Sequence, residues 1–158
     1  MALPNPAPSP DSAKEDLDAL ATPPIVRSAG LALLATGAFG VLHVAQLADA
    51  LRYVHGPFAI VPYLMAVESV VAVFVGVAFV RARRWAPIAA IVTSALSWIT
   101  SGAWFMFAMG NGLFTLFGML VPGLAMGALL LGVMAKRPCE RTVAARARLG
   151  REGLDLGV

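Results

Sequence analysis

The chain has 158 residues, of which 59% are hydrophobic and only 13% are charged. This composition excludes an ordinary water-soluble domain, in which polar residues interrupt apolar stretches every few positions. The net charge of +3 does not indicate nucleic-acid binding, because the basic residues flank apolar stretches and are not interleaved with aromatic side chains. We therefore expect a lipid bilayer as the surroundings and no nucleic-acid partner.

The first 24 residues contain six prolines among serine, alanine and acidic residues. Such a segment buries too little apolar surface to offset the entropy of ordering, so we predict a disordered proline-rich arm over residues 1–24. A transmembrane domain over residues 25–135 and a basic tail over residues 136–158 complete the predicted organisation.

Four apolar stretches make up the transmembrane domain, at about residues 28–51, 58–80, 85–109 and 113–135. Each is long enough to cross a hydrocarbon core of about 30 Å as a helix. Helices are required because backbone groups in lipid must bond within their own segment. Short connections make sequential neighbours antiparallel. The sequence therefore predicts an all-α integral membrane protein, a four-transmembrane-helix up-and-down bundle.

The distribution of basic residues predicts the orientation of this bundle. If both termini lie inside, eleven of the twelve Lys and Arg residues are cytoplasmic and only Arg52 is outside, as the positive-inside rule requires. Ala48-Asp49-Ala50 has the form of a signal-peptide cleavage site, but the region before it is long and acidic instead of short and basic. We expect an N-in/C-in protein of a bacterial cytoplasmic (inner) membrane.

Two ionisable residues lie inside the spans, Glu68 near the middle of the second and His43 in the outer half of the first. An ionisable side chain in hydrocarbon is costly and normally faces the protein interior or water. We therefore expect Glu68 to be protonated or paired. Because a short outer loop joins the first two helices, His43 and Glu68 should lie within about one or two helical turns in depth, and they could touch.

Polar residues continue from His43 toward the outer end of the first helix. Gln46, Asp49 and Tyr53 follow it at steps of three, three and four, which places all of them on one side of a helix. One hypothesis is a proton-carrying or cation-binding cavity, open to the outside, formed by this stripe and Glu68. The other is a structural hydrogen bond between helices, worth about 1 kcal/mol, with the outer residues meeting headgroups.

The third span carries a face of small polar residues. Ser94, Ser97 and Ser101 recur at steps of three and four, which is the periodicity of one helix face. We interpret them as helix-packing residues whose hydroxyls bond to carbonyls one turn back.

The fourth span is rich in glycine. Gly123, Gly127 and Gly132 belong to small-x-x-x-small patterns, which allow another helix to approach closely. We expect that helix to come from the same chain, or otherwise from a second copy in a homo-oligomer.

Cofactor chemistry has no support in the sequence. A structural zinc site needs about four ligands, whereas the chain has one Cys and two His. His43 and His55 lie on one segment and point in different directions, so they cannot bracket a haem iron. The chain also lacks G-x-S-x-G, H-E-x-x-H and a glycine-rich phosphate loop. We therefore predict no metal, no cofactor and no catalytic residue.

The basic tail contains six Lys or Arg residues and three Asp or Glu residues. Such a tail attracts anionic lipid headgroups. After Pro138, residues 140–149 are expected to form a short helix at the membrane surface.

Three functions remain open on the sequence alone. The first is a non-enzymatic component of a membrane assembly, or a homo-oligomer packed through small-residue helix faces, because the predicted loops are too short for a soluble site. The second is a small proton-coupled carrier that uses Glu68 with His43, and Pro122-Gly123 as a flexible joint. The third is a membrane-embedded enzyme acting on a lipid or quinone, for which no nucleophile is visible.

Overall fold

The computed structural model describes residues 21–48, 54–112 and 116–151. In these ranges the chain forms four long helices and no strand: α1 Pro24–Leu47, α2 Val61–Val80, α3 Ala86–Asn111 and α4 Leu116–Arg151. A short 3-10 turn, Pro57–Ile60, leads into α2. All four helices are long and apolar enough to cross a membrane. The predicted all-helical class with four spans is confirmed.

Proline marks the beginnings of the first three helices. Pro24 is the first residue of α1, and Pro62 and Pro87 occupy the first turns of α2 and α3. Proline is favoured there because its missing N–H would have no partner in the helix and its φ angle is already helical. The predicted start of α1 at residue 28 was therefore four residues late. Of the predicted arm, residues 1–20 lie outside the described residues.

A left-handed residue ends each of the two middle helices. α3 stops at Gly112, whose φ of 68° suits glycine. α2 ends at Val80, and Ala82, two residues further on, has a φ of 50°. There the N–H groups of Ala82 and Arg83 donate to the carbonyls of Phe79 and Ala78, the two bonds of a Schellman ending. The tight turn that follows brings α3 back antiparallel to α2.

Each helix packs against two neighbours, in a ring that runs α1, α2, α3, α4 and back to α1. A core cluster at one end joins the start of α1, the end of α2 and the start of α3, for example through Val26, Phe79 and Ala86. A second cluster at the other end joins Leu47, Met65 and Trp104. The helices therefore alternate in direction, which is the up-and-down order.

The outer faces of the helices are apolar. Val67 and Phe74 on α2 are 64% and 67% exposed, and Met106 on α3 is 72% exposed. All four spans carry further exposed Leu, Ile, Val or Met side chains. A water-soluble monomer rarely exposes a continuous apolar surface of this extent. These faces fit hydrocarbon as their surroundings.

α4 continues well beyond the membrane span predicted from the sequence. It runs without interruption through Pro122 and Pro138 to Arg151, a length of about 54 Å at 1.5 Å per residue. The helix expected after Pro138 is present, but it continues α4 and is not a short helix of its own. We call residues 136–151 the C-terminal extension of α4.

Tertiary packing explains why Pro138 does not end the helix. One face of the C-terminal extension is buried, with Cys139 at 0%, Thr142 at 1% and Ala145 at 0% exposure. Cys139 belongs to the same core cluster as Val26 and Ala86. Burial of this face stabilises the helix by more than the missing backbone hydrogen bond destabilises it.

Candidate functional site

Glu68 lies near the middle of α2, half-buried, with its carboxylate directed toward α3. Thr100 Oγ1 donates a hydrogen bond to Glu68 Oε2 at 2.5 Å. The same hydroxyl lies 3.0 Å from the carbonyl oxygen of Leu96, one turn earlier on α3. Because a hydroxyl has a single proton, it donates to one of these acceptors at a time. Thr100 can therefore serve Glu68 in either of its protonation states.

A small cavity of about 10 Å³ lies beside this pair. Side chains from all four helices line it, and all come from near the middle of the membrane spans. We call the polar ones the midplane cluster: Thr36, Glu68, Ser69, Ser97, Thr100 and Ser101. A cavity of this size holds about one water molecule. The fold thus gathers six oxygen-bearing side chains around a space for one small particle.

The hydroxyls of the midplane cluster donate mainly to their own helices. Thr36 Oγ1 donates to the carbonyl of Ala32 at 2.9 Å, and Ser69 Oγ donates to that of Met65 at 2.6 Å. Ser101 Oγ donates to the carbonyl of Ser97. Since these protons are already engaged, the oxygen lone pairs remain available as acceptors. The cavity is therefore lined by acceptors.

The polar residues predicted to act together with His43 do not share one environment. His43 is buried, at 1% exposure, whereas Gln46 is exposed on α1. Asp49 and Tyr53 lie outside the described residues. Neither His43 nor Gln46 lines the cavity beside Glu68, and the hydrogen bond of Glu68 runs to Thr100. A functional pairing of His43 with Glu68 stays a prediction.

The serine face of α3 points into the bundle. Ser94, Ser97 and Ser101 are 0%, 6% and 2% exposed. Ser101 bonds one turn back to Ser97, whereas Ser94 Oγ is buried without a hydrogen-bond partner in the described part of the chain. The two serines nearer the membrane centre thus belong to the midplane cluster as well as to the packing surface.

The glycines of α4 differ in their surroundings. Within the described part of the chain, a Cβ atom built on Gly123 or Gly127 meets nothing within 4 Å, whereas Gly132 is buried and a Cβ atom there would lie 3.7 Å from Ile91 Cγ1 of α3. The close approach expected from another helix of this chain is therefore not seen at Gly123 and Gly127, and at Gly132 α3 lies in ordinary contact. Gly123 and Gly127 face outward because alanines on the other side of α4, including Ala125 and Ala128, are buried.

A regular apolar row surrounds these two glycines. Its members recur at alternating steps of four and three along α4, and none is buried; we call this row the outer seam: Leu116, Leu120, Gly123, Gly127, Leu130 and Met134. Leu116, Leu130 and Met134 are 68%, 58% and 63% exposed. Alternating steps of three and four are the pattern by which two helices pack side by side.

The close helix approach occurs instead between α1 and α2. A Cβ atom on Gly37 would lie 2.6 Å from the carbonyl oxygen of Ser69, and one on Gly76 would lie 3.0 Å from the carbonyl oxygen of Gly30. A Cβ on Gly40 would overlap Ser69 Oγ. Sequence reasoning missed this interface, although small residues at steps of seven and three along α1 were a usable signal.

Thr36, Ser69 and Thr100 were also missed as site residues. Each is a hydroxyl residue near the middle of an otherwise apolar span. Comparing the polar residues at equal depth across all four spans, and not only along each helix, would have grouped them with Glu68.

A larger groove of about 340 Å³ lies away from the midplane cluster, between the C-terminal extension of α4 and the start of α3. Its walls are mostly small and apolar, and it has one basic and one acidic residue: Arg84, Pro87, Glu140, Val143, Ala144 and Ala147. Since the two charges are opposite, the groove has no net charge that would select an anionic ligand.

Comparison with known protein families, curated proteins and solved structures finds no match to this chain. The class of protein thus follows from the fold and its surfaces. Four helices long enough to span a membrane, with apolar outer faces and a polar cluster held inside, place the chain among the polytopic integral membrane proteins. Its particular function has to be inferred from the midplane cluster and the outer seam.

Proposed function

We propose that the protein is a non-enzymatic component of a membrane assembly that associates with a second copy of itself through the outer seam of α4. The observation that carries this proposal is the open space around Gly123 and Gly127. In lipid, helices associate by close packing, for which exposed glycines at a spacing of four are well suited. The flanking leucines extend the surface in the same register.

A second copy is the partner that this surface fits best. The seam is apolar along its length, and its two glycines lie near its centre, so two identical seams can pack against each other around a twofold axis. Each glycine then receives the neighbouring backbone that the described part of its own chain does not provide.

The test is the oligomeric state of the full chain in lipid vesicles, measured by single-molecule photobleaching. We expect dimers for the wild type and monomers for the double variant Gly123→Leu/Gly127→Leu, because two large side chains separate the seams. Gly102→Leu on α3 is the matched control, since a Cβ atom there also meets nothing within 4 Å in the described part of the chain. It should leave the dimer intact.

Two results would contradict self-association. One is a wild-type chain that stays monomeric over the accessible range of protein-to-lipid ratios. The other is native mass spectrometry of gently extracted protein that recovers one copy bound to a different membrane subunit, which would replace the homo-oligomer by a mixed assembly.

We propose further that both termini face the cytoplasm of a bacterial inner membrane. The support is the distribution of Lys and Arg, since the α2–α3 turn and the C-terminal extension of α4 carry nearly all described cations. Exposed Arg137, Arg141 and Arg148 on that extension are suited to anionic lipid headgroups. Reporter fusions should be active in the cytoplasm at either terminus; an active periplasmic reporter at the C-terminus would contradict this orientation.

A second candidate function is a small proton-coupled carrier, and the midplane cluster is the observation that favours it. Glu68 is bonded to a hydroxyl that can donate or accept, beside a cavity that admits about one water molecule. Pro122 lies next to Val121, which lines the same cavity, and would serve as the joint near the site.

Proteoliposomes with an imposed pH gradient and an enclosed pH-sensitive dye test the carrier function. We expect wild-type protein to dissipate the gradient and Glu68→Gln to lose this activity, while both keep the same oligomeric state. Equal proton flux in the two proteins would exclude the carrier. Glu140→Gln is the control, because it removes an exposed carboxylate on the C-terminal extension.

A further inference from the structure

The oxygens of the midplane cluster are arranged for a ligand that needs acceptors. Thr36, Ser69 and Ser101 each donate to a carbonyl of their own helix, so their lone pairs are free to face the cavity. Neutral oxygens of this kind, together with a carboxylate, replace the hydration shell of a small cation in membrane proteins. The cavity is therefore better suited to a cation than to an anion or a hydrogen-bond acceptor.

We propose that the midplane cavity binds one monovalent cation, Na⁺, in exchange for one proton on Glu68. This inference rests on the carrier function proposed above, because it names the ion that the Glu68 site would take. The exchange is balanced: protonated Glu68 and Na⁺ give ionised Glu68 with bound Na⁺ and one released proton.

The charge of the site selects a monovalent ion. Among the described residues that line the cavity, Glu68 is the only titratable one; α1 contributes Thr36, α3 contributes hydroxyls, and α4 contributes Val121. Met65 and Ser69 are the other lining residues from α2. One carboxylate is neutralised by one proton or by one Na⁺, whereas a divalent ion would leave a net positive charge in hydrocarbon, which is costly.

The size of the site selects a small ion. The cavity volume of about 10 Å³ matches a single water molecule, and a bare Na⁺ is smaller than water. An organic cation does not fit this space. When Na⁺ binds Glu68, the Thr100 proton can turn to the Leu96 carbonyl 3.0 Å away, which leaves the Thr100 oxygen to face the ion.

Binding of ²²Na⁺ to the purified full chain in detergent, measured by scintillation proximity, tests the proposal. At pH 8 we expect saturable binding that unlabelled NaCl displaces and choline chloride does not. Lowering the pH should displace the ion, and adding NaCl to weakly buffered protein should release about one proton per bound ion. Protons released without bound ²²Na⁺, or the reverse, would overturn the exchange.

Variants locate the ion. Glu68→Gln should abolish binding, and Thr100→Val should weaken it by about tenfold, while Glu140→Gln should bind as the wild type does. If Glu68→Gln fails to fold, as judged by circular dichroism and elution volume, Thr100→Val and Ser97→Ala decide. Wild-type affinity in those two variants, or full binding in a folded Glu68→Gln protein, would overturn the proposal.

The two proposals can fail separately. Proton flux that depends on Glu68 without any ²²Na⁺ binding would overturn the Na⁺ site and leave the carrier function standing. Saturable ²²Na⁺ binding at Glu68 without flux would support the site and exclude the carrier.

Discussion

Two sets of glycines in this protein have opposite surroundings. On α1 and α2, Gly37 and Gly76 lie so close to the opposite backbone that a Cβ atom would come within 2.6 and 3.0 Å of a carbonyl oxygen. On α4, Gly123 and Gly127 have open space around them. The four-residue spacing of the α4 pair resembles a packing motif more closely than the spacing in α1 does. Of these four glycines, however, only Gly37 and Gly76 lie against another helix of the described chain.

The difference shows that a small-residue pattern identifies a surface able to pack and does not identify its partner. α1 and α2 meet through Gly37 and Gly76, where the backbone of the opposite helix lies close. α4 is held to the bundle through its buried alanines and through its C-terminal extension. Gly123 and Gly127 are consequently available for contacts outside the chain.

The largest expected effect separates the two sets by the same substitution. Gly37→Ala should lower the free energy of unfolding by about 1–3 kcal/mol, because the new methyl group forces two backbones apart. Gly123→Ala should change it by less than about 0.5 kcal/mol, as expected at an open site. Steric-trap or denaturant unfolding in detergent micelles measures both. Equal losses for the two variants would remove the distinction between the interfaces.

The second effect concerns association. Gly127→Leu alone should weaken dimerisation by about tenfold, or about 1.4 kcal/mol, with no loss of monomer stability. Förster transfer between labelled chains in vesicles at increasing dilution gives the dissociation constant. A variant that unfolds the monomer would place Gly127 inside the bundle, contrary to the open space around it.

The third effect concerns the hydrogen bonds that join the C-terminal extension of α4 to the rest of the bundle. Arg146 Nη1 donates to the Arg81 carbonyl at 3.1 Å, and Nη2 donates to Thr22 Oγ1 at 3.4 Å. Arg146→Gln should therefore reduce stability by about 0.5–1.5 kcal/mol and speed trypsin cleavage within the extension. Arg141→Gln is the control, since Arg141 is exposed; equal cleavage rates in the two variants would count against this anchoring.

The effect that is smallest near neutral pH is a pH dependence at Cys139. Burial raises the pKa of this thiol to about 11, an effect that nearby Arg146 reduces and Glu140 adds to. The folded protein therefore favours the thiol, and the stability that this contributes is present at neutral pH and is lost as pH rises from the ordinary cysteine pKa toward about 11. Thermal unfolding should show this decline, and Cys139→Ser should not.

Reactivity gives an independent check on the same residue. Maleimide should label Cys139 slowly in the folded protein at pH 7.5, because the thiolate is scarce and the side chain is buried. A cysteine placed at exposed Ala144 in a Cys139→Ser background should react quickly. Rapid labelling of native Cys139 would show that the C-terminal extension does not remain packed against the bundle.

Some features of the site could be predicted from residue type and others could not. Glu68 was identifiable because an acid near the middle of an apolar span is rare whatever its neighbours. Thr100 was not, because a threonine in a membrane helix usually bonds its own backbone, and its second acceptor lies on α2, 32 positions away in the chain. The expected neighbour, His43, is on α1 and does not line the cavity.

Composition and spacing were sufficient for the number of helices and the apolar nature of their surfaces, because backbone satisfaction in hydrocarbon leaves only one regular structure for stretches of this length. They were not sufficient to determine the rotation of each helix about its own axis. Which face of each helix turns inward depends on how all four fit together, and that fit decided that Glu68 meets Thr100 and that Gly123 points outward. The same packing explains why α4 continues past Pro138. Contacts with distant parts of the chain stabilise the helix by more than this local helix-breaking residue destabilises it.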